Sequence, residues 1–328
     1  MSEFRLPINA PPIIQTTSDY ADMFTILPQH RDFPKWLCSH YSNLVYLHTP
    51  LDGYQINFCS KIYTECELLD YDKHIEEMSI AESDIGIDNI VDYIKEIISK
   101  GYYAIVETNQ YHVPETPYYY KMHYMHRQLY YGFSDLNKCF YTLGYNINRK
   151  YRSVAIAYDE IPKATIKFDI ELAAPIHTIK PNNISYNFDR HKAAVDYWYY
   201  CNNKYDGELT RSDYIFGIDA SYKFHEIIDA ALNEEVINVM LPSLFYEHKY
   251  VQKVKMQQYF EWGIPGIEEK HVEMAENITK EAYRILLIYM KYEVDGNCKS
   301  LNNSHKYIDN IVSLERNLYP ELVQILES

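Results

Sequence analysis

Residues 101–164 read GYYAIVETNQYHVPETPYYYKMHYMHRQLYYGFSDLNKCFYTLGYNINRKYRSVAIAYDEIPKA, and this stretch decides the fold. Four short runs in it are rich in aromatic and β-branched residues and are separated by turn residues: Tyr102–Glu107, Arg127–Phe133, Cys139–Leu143 and Ser153–Tyr158. These runs predict an antiparallel sheet. The segment SDLNK at 134–138 has the composition of a hairpin turn and joins the second run to the third.

Helical patterns precede this sheet. Residues Asp88–Lys100 carry apolar side chains at helical spacing, with Asp88 as the predicted N-cap and Gly101 as the stop. Earlier, FPKW at 33–36 opens a second helical pattern with its proline in the first turn. Its apolar side is predicted to carry Leu37, Tyr41, Leu44 and Val45.

Beyond about residue 185 the patterns are helical. The predicted helices are Tyr186–Asn202, Tyr214–Asn233, Glu235–Trp262, Glu268–Val294 and Lys306–Glu327, with breaks at Gly263–Gly266 and Asp295–Asn297. A chain of 328 residues has room for two domains. We therefore expect an α+β domain over 1–170 and a helical domain over 171–328, joined within Pro162–Asn183.

Composition and charge exclude several classes of protein. The apolar fraction of 47% excludes a disordered chain, and no apolar stretch reaches the roughly 20 residues of a membrane span. The start, MSEFRLPINAPPIIQ, lacks the features of a signal peptide, so we expect a cytoplasmic protein with no membrane partner. A net charge of −15 disfavours nucleic acid and favours cationic substrates. Six cysteines without a CxxC pair favour neither a zinc ribbon nor a disulfide framework, and no cofactor is expected.

A cysteine early in a helix, followed much later by a histidine entering a hairpin, is the outline of a papain-type thiol site. Cys38 and His126 fit this outline. The positive end of a helix dipole would lower the pKa of the thiol, and the histidine would act as acid and base.

The third catalytic group is predicted from hairpin geometry. If the turn centres near Leu136, Asn146 faces His126 and its amide orients the imidazole; a shift of one residue would place Tyr145 or Ile147 there instead. Asn109 is the reserve orienting residue. Gln29 is the candidate oxyanion donor.

Each of these assignments has a simpler structural alternative. Cys38 could be a small buried apolar group, in which case Cys66 is the best substitute nucleophile. His123 and His126 form an HxxH pair, with His112 nearby, but residues three apart in a strand point to opposite faces, so no metal site is expected. The tyrosine-rich stretch Tyr111–Tyr131 is either core or a cleft for a flat acyl chain.

The stretches GYYAIVETNQYHVP and YYYKMHYMHRQLYYGFSDLNKCFYTLGYNINRKYRSVAIAYDEIPKA resemble the N-terminal domain of the butirosin biosynthesis protein H family. The resemblance covers roughly residues 30–165. In that family an acid usually precedes the histidine, and the histidine strand ends in Gly-Tyr-Asp. Here those places hold Asn109 and Gly132-Phe133-Ser134, with Asp135 one position late.

The resemblance implies a papain-like fold with a helical C-terminal half, and an acyltransferase activity used in natural-product biosynthesis. An acyl group would pass from a carrier-protein thioester to the cysteine and then to an amine, forming an amide. The negative charge suits a small cationic diamine, and a tyrosine-lined cleft suits a phenolic acyl chain. Lys249, Lys253 and Lys255 are either a docking patch for an acidic carrier or a solvated helix face. The alternatives are a thioesterase or peptidase using the same site, and a noncatalytic carrier-binding protein.

Overall fold

The computed structural model describes residues 3–38, 44–50, 53–58, 75–77, 89–165, 176–181, 214–233, 235 and 237–327. The chain divides into two compact units, each built from two segments. The first, here called the sheet unit, comprises Met1–Arg31 and Tyr71–Ile184; the second, the helical unit, comprises Asp32–Asp70 and Ser185–Ser328. This division differs from the expected single boundary near residue 170, because Asp32–Asp70, which contains Cys38, belongs with the C-terminal segment.

The strands and helices of the described residues are as follows. The strands are β1 (Glu3–Arg5), β2 (Leu44–Thr49), β3 (Gly53–Phe58), β4 (Ile75–Glu77), β5 (Tyr103–Asn109), β6 (Met125–Ser134), β7 (Cys139–Tyr145), β8 (Tyr151–Ala157), β9 (Ile176–Pro181) and β10 (Tyr214–Phe216). The helices are α1 (Ser18–Ile26), α2 (Phe33–Cys38), α3 (Ile90–Ser99), α4 (Ile161–Ala164), α5 (Gly217–Tyr222), α6 (Phe224–Leu232), α7 (Met240–Glu261), α8 (Glu269–Asp295), α9 (Cys298–Asn302) and α10 (Ser304–Glu327). The protein is therefore a mixed α+β protein.

Seven of the described strands form one antiparallel sheet in the sheet unit. Its order is β4-β9-β5-β6-β7-β8, and β1 pairs with the end of β6. The four strands predicted over residues 101–164 are confirmed as β5 to β8. Ser134 lies opposite Cys139, so the predicted hairpin turn occupies residues 135–138. A β-bulge between Tyr130 and Gly132 then shifts the register by one residue.

The predicted amphipathic helix before the sheet is confirmed as α3. It contacts β5 and β6, and its buried residues are Ile90, Ile94, Ile97 and Ile98. Asn89 occupies the N-cap position, and the predicted cap Asp88 lies outside the described residues. Gly101 follows the helix with a φ of 88°, the left-handed conformation that glycine adopts without strain.

Gly132 lets β1 approach β6 closely. A β-carbon at this position would lie 2.6 Å from the carbonyl oxygen of Phe4, and backbone cannot yield as a flexible side chain can. We expect Gly132→Ala to lower the free energy of unfolding by about 1–3 kcal/mol and to expose the amide of Leu6, which bonds the Tyr131 carbonyl at 2.7 Å. Urea denaturation and hydrogen exchange measure these effects. An unchanged midpoint with full protection of Leu6 would contradict the prediction.

The helical unit packs α7 and α10 against α8. The predicted break at 295–297 is confirmed: Gly296 has a φ of 65° and ends α8 in the left-handed conformation. Two predictions in this unit are wrong. Leu44 and Val45 lie on the strand β2 rather than on a helix, and Tyr214–Phe216 forms the strand β10 rather than the start of a helix. The strands β10, β2 and β3 form an antiparallel sheet in that order. Tyr41 and Tyr186–Asn202 lie outside the described residues.

Candidate functional site

His126 lies in β6, opposite Thr108 of β5. Its Nδ1 is 3.0 Å from the backbone carbonyl oxygen of Arg127. Because a carbonyl only accepts hydrogen bonds, Nδ1 carries the proton, and Nε2 is the basic nitrogen of the neutral ring. The rings of Tyr124 and Tyr145 lie 5.9 Å and 5.6 Å from the imidazole, so the half-buried histidine has an aromatic surrounding. This arrangement suits a general acid and base.

Asn146 has a structural role in the turn between β7 and β8. Beyond the bulge, Tyr130 lies opposite Thr142 and Leu129 opposite Leu143, which is the register of a turn centred on residue 136, as the prediction assumed. The amide oxygen of Asn146, however, accepts hydrogen bonds from the backbone amides of residues 148 and 150 at 3.0 Å. The contact that orients His126 comes instead from the Arg127 carbonyl.

Asn109, the reserve orienting residue, contacts a different histidine. Its Nδ2 donates to Nδ1 of His123 at 2.9 Å, while its oxygen accepts from the amide of Tyr111. The ring of Tyr111 stacks on His123, with centroids 4.4 Å apart. His123 precedes β6 rather than lying in it, and among the described residues no three His, Cys, Asp or Glu side chains are arranged to hold one metal ion.

Cys38 lies in the helical unit, 0% exposed. Burial raises the pKa of its thiol to about 12, although Lys255 and the hydroxyl of Tyr259 both act to lower it. The same hydroxyl donates to the Cys38 carbonyl oxygen at 3.2 Å. Cys38 is the last described residue of α2, more than one turn from its start, whereas the dipole effect is confined to the first turn. The expected lowering of the pKa by the helix is therefore not found, and the thiol is protonated at neutral pH.

The remaining predicted residue, Gln29, lies in the sheet unit. It ends the short 3₁₀ helix Leu27–Gln29, and its side chain is exposed. His126, Asn109 and Asn146 belong to the same unit. Cys66, the substitute nucleophile, lies outside the described residues.

A buried carboxylate beside the side chain of Arg127, the residue after His126, was not anticipated from the sequence. Asp22 of α1 is 1% exposed, and burial raises its pKa to about 6 despite the opposing effects of Arg127 and Tyr151. The Tyr151 hydroxyl donates to Asp22 Oδ1, and an Arg127 guanidinium nitrogen lies 3.5 Å from Oδ2. Arg127 thus supports His126 through its carbonyl and holds Asp22 through its side chain. The only sequence signal was an acidic residue three positions after Asp19 in a helix.

The tyrosine-rich stretch separates into core and surface. Tyr130 and Tyr131 are buried in β6, as the packing interpretation expects. In the loop before β6, by contrast, Tyr120, Met122 and Tyr124 are 54%, 52% and 41% exposed. The ring of Tyr118 lies 4.6 Å from that of Tyr124, which in turn contacts His126. The loop therefore presents an apolar, aromatic surface beside the histidine.

The lysine cluster of α7 is neither a docking patch nor a solvated face. Lys249 is fully buried, and its Nζ donates to Glu315 Oε1 and to Ser221 Oγ, both at 2.7 Å. Lys255 is 2% exposed. Burial lowers the pKa of Lys249 and raises that of Glu315, and their mutual attraction opposes both shifts. Two of the three lysines are thus unavailable to a carrier protein.

Neither a scan against protein-family models nor a search of curated proteins finds a match for this chain. In the part of the chain that the structure describes, no helix combines the length and the apolar composition that crossing a bilayer requires.

Proposed function

We propose that the protein is a thiol-dependent acyltransferase that forms amides. Cys38 is the proposed nucleophile, and His126 is the proposed acid and base. The observation that supports this proposal best is the geometry of His126: the Arg127 carbonyl fixes the proton on Nδ1, which makes Nε2 the base, and two tyrosine rings flank the imidazole.

The proposed reaction has two transfers. In the first transfer a general base takes the thiol proton while the sulfur of Cys38 bonds to the thioester carbonyl carbon; the departing carrier thiolate then takes that proton. In the second transfer an amine attacks the acyl-enzyme and gives its proton to the base, which returns it to the sulfur as the amide leaves. A thiol with a pKa of about 12 requires this base, because hardly any thiolate exists beforehand at neutral pH.

The substrate classes follow from the surface and the charge. The exposed rings of Tyr120 and Tyr124 offer contact area for an aromatic acyl chain. The net charge of −15 attracts a cationic diamine. The acyl donor is proposed to be a carrier-protein thioester, docked on apolar surface rather than on the buried lysines.

A noncatalytic carrier-binding protein is the second candidate, and one observation favours it. The thiol of Cys38 is enclosed and its pKa is raised, which is typical of a structural cysteine rather than of a reactive one. The two candidates differ in whether Cys38 ever becomes acylated.

Intact-protein mass spectrometry with a small hydroxybenzoyl thioester distinguishes them. We expect one acyl adduct on the unmodified sequence, no adduct on Cys38→Ala, and acylation slowed about 10²–10⁴-fold in His126→Ala. Cys139→Ala is the matched control, since it removes another buried thiol whose pKa burial raises. Added diaminopropane should discharge the adduct as an amide.

Other results of the same experiment would support a hydrolase, a different nucleophilic cysteine or a noncatalytic protein. Discharge to the free acid at the same rate with and without diamine would identify a hydrolase. An adduct that persists in Cys38→Ala and disappears in Cys66→Ala would move the nucleophile to Cys66. No adduct on any variant would favour the noncatalytic protein.

A further inference from the structure

Two helices of the helical unit carry the same short motif. α6 contains HEIID at 225–229, and α10 contains HKYID at 305–309. Each motif places an aspartate four residues after a histidine, so both side chains lie on one face of their helix. The two helices contact one another.

The four side chains pair across the two helices. Nε2 of His225 lies 3.1 Å from Asp309 Oδ1, and Nε2 of His305 lies 3.1 Å from Asp229 Oδ1. The two Nδ1 atoms are only 2.6 Å apart. The rings are within 9° of parallel, with centroids 4.9 Å apart. Because the nitrogens are so much closer than the centroids, the Nδ1 edges of the two rings face each other.

The hydrogen bonds determine what lies between the rings. An ionised carboxylate only accepts hydrogen bonds, so both Nε2 atoms carry protons. In two neutral rings, both Nδ1 atoms would then direct lone pairs at each other across 2.6 Å, which is repulsive unless a cation lies between them. Either a proton shared between the two Nδ1 atoms or a metal ion bound by both of them removes this repulsion.

We propose that His225 and His305 bind a divalent transition-metal ion of the zinc class through their two Nδ1 atoms. Imidazole nitrogen is a preferred ligand of Zn²⁺, and metal-binding histidines commonly donate their other N–H to a carboxylate, as these two do to Asp309 and Asp229. The two aspartates also supply negative charge beside the ion.

The proposed site has two protein ligands, with water in the other positions. This agrees with the finding that no three donor groups among the described residues converge on one ion, since both carboxylates are engaged by Nε2–H groups. Tetrahedral binding at about 2.0–2.1 Å requires the two Nδ1 atoms to be roughly 3.3 Å apart. The side chains of His225 and His305 are 17% and 25% exposed, so water can reach the site. Metal binding requires the two Nδ1 atoms, 2.6 Å apart in this structure, to separate by about 0.7 Å.

Titration of the full chain with Zn²⁺, followed by calorimetry and thermal unfolding, tests the proposal. We expect one ion per chain and a Tm higher by about 5 °C at 100-fold excess over Kd, with no rise in Mg²⁺. His225→Ala and His305→Ala should each abolish the rise. Asp309→Asn, which leaves the Nδ1 atoms of both histidines in place, should weaken binding of Zn²⁺ about 10–100-fold. His30→Ala, in the sheet unit, is the matched control and should leave binding unchanged.

A Co²⁺ spectrum distinguishes this site from binding by cysteines and does not depend on how the variants fold. Binding at the two histidines gives weak visible bands without a thiolate charge-transfer band. Binding that persists in the double variant His225→Ala/His305→Ala, or a thiolate band, would overturn the proposal. A Tm that responds to pH but to none of these ions would also overturn it and would assign a shared proton to the pair. None of these outcomes depends on the acyltransferase activity.

Discussion

Lys249→Met is expected to lower the free energy of unfolding by about 3–5 kcal/mol. The variant leaves the Glu315 carboxylate fully buried without the ammonium group that lies 2.7 Å from it. Ser221 loses the same donor. Glu315 can limit the loss by taking up a proton, because burial already raises its pKa. Urea denaturation at neutral pH measures the effect.

The double variant Lys249→Met/Glu315→Leu separates the cost of an unpaired charge from the cost of lost packing. It removes both charges and keeps similar side-chain volume, so we expect it to recover most of the stability that the single variant loses. Lys253→Met is the matched control on the same helix, and its partly exposed side chain predicts a change within about 0.5 kcal/mol. A double variant as unstable as Lys249→Met, or a control equally unstable, would contradict this account.

The sequence predicted the elements whose residue types and spacing favour one local structure. The strands β5 to β8 were predicted from runs of aromatic and β-branched residues between turn residues, and the helix α3 from its helical apolar pattern. Gly296 ended α8 because few other residues adopt its backbone conformation. The position of the β6–β7 turn was predicted from residues 134–138, but the register assumed for a turn centred on Leu136 holds only beyond the bulge between Tyr130 and Gly132, which the sequence did not predict. In these cases the deciding interactions are local.

The errors arose where distant parts of the chain decide the structure. Leu44 and Val45 suit either a helix or a strand, and pairing with β3 and with the distant β10 makes them a strand. Lysine side chains are usually exposed, and the burial of Lys249 depends on two distant partners, Ser221 and Glu315, the latter 66 residues later in the chain.

At the candidate site the same distinction holds. His126 could be placed in its strand, whereas the contact of its Nδ1 with the Arg127 carbonyl depends on a side-chain rotamer. The pKa of Cys38 could not be inferred from its helix, because the burial that raises it is a property of the packed unit.

We expect the contribution of Asp22 to the stability of the protein to fall as the pH rises through the acidic range. Its carboxyl is buried, and its pKa of about 6 in the folded protein exceeds the ordinary value of 3.8. Between these two pH values the unfolded chain binds fewer protons than the folded one, so the contribution of Asp22 to stability is complete below about pH 4 and is lost above about pH 6. A shift of this size corresponds to about 3 kcal/mol.

Asp22→Asn removes this titration while keeping an oxygen that accepts the hydrogen bond from the Tyr151 hydroxyl. Relative to the unmodified protein, the variant should therefore gain about 3 kcal/mol of unfolding free energy between pH 4 and pH 7. Urea denaturation across this range measures the difference. Asp19→Asn is the control, because it removes the more exposed carboxylate that binds the same Arg127 guanidinium. Parallel pH profiles for Asp22→Asn and the unmodified protein would show that the carboxylate is ionised at low pH in the folded state, held by Arg127 more strongly than burial opposes it.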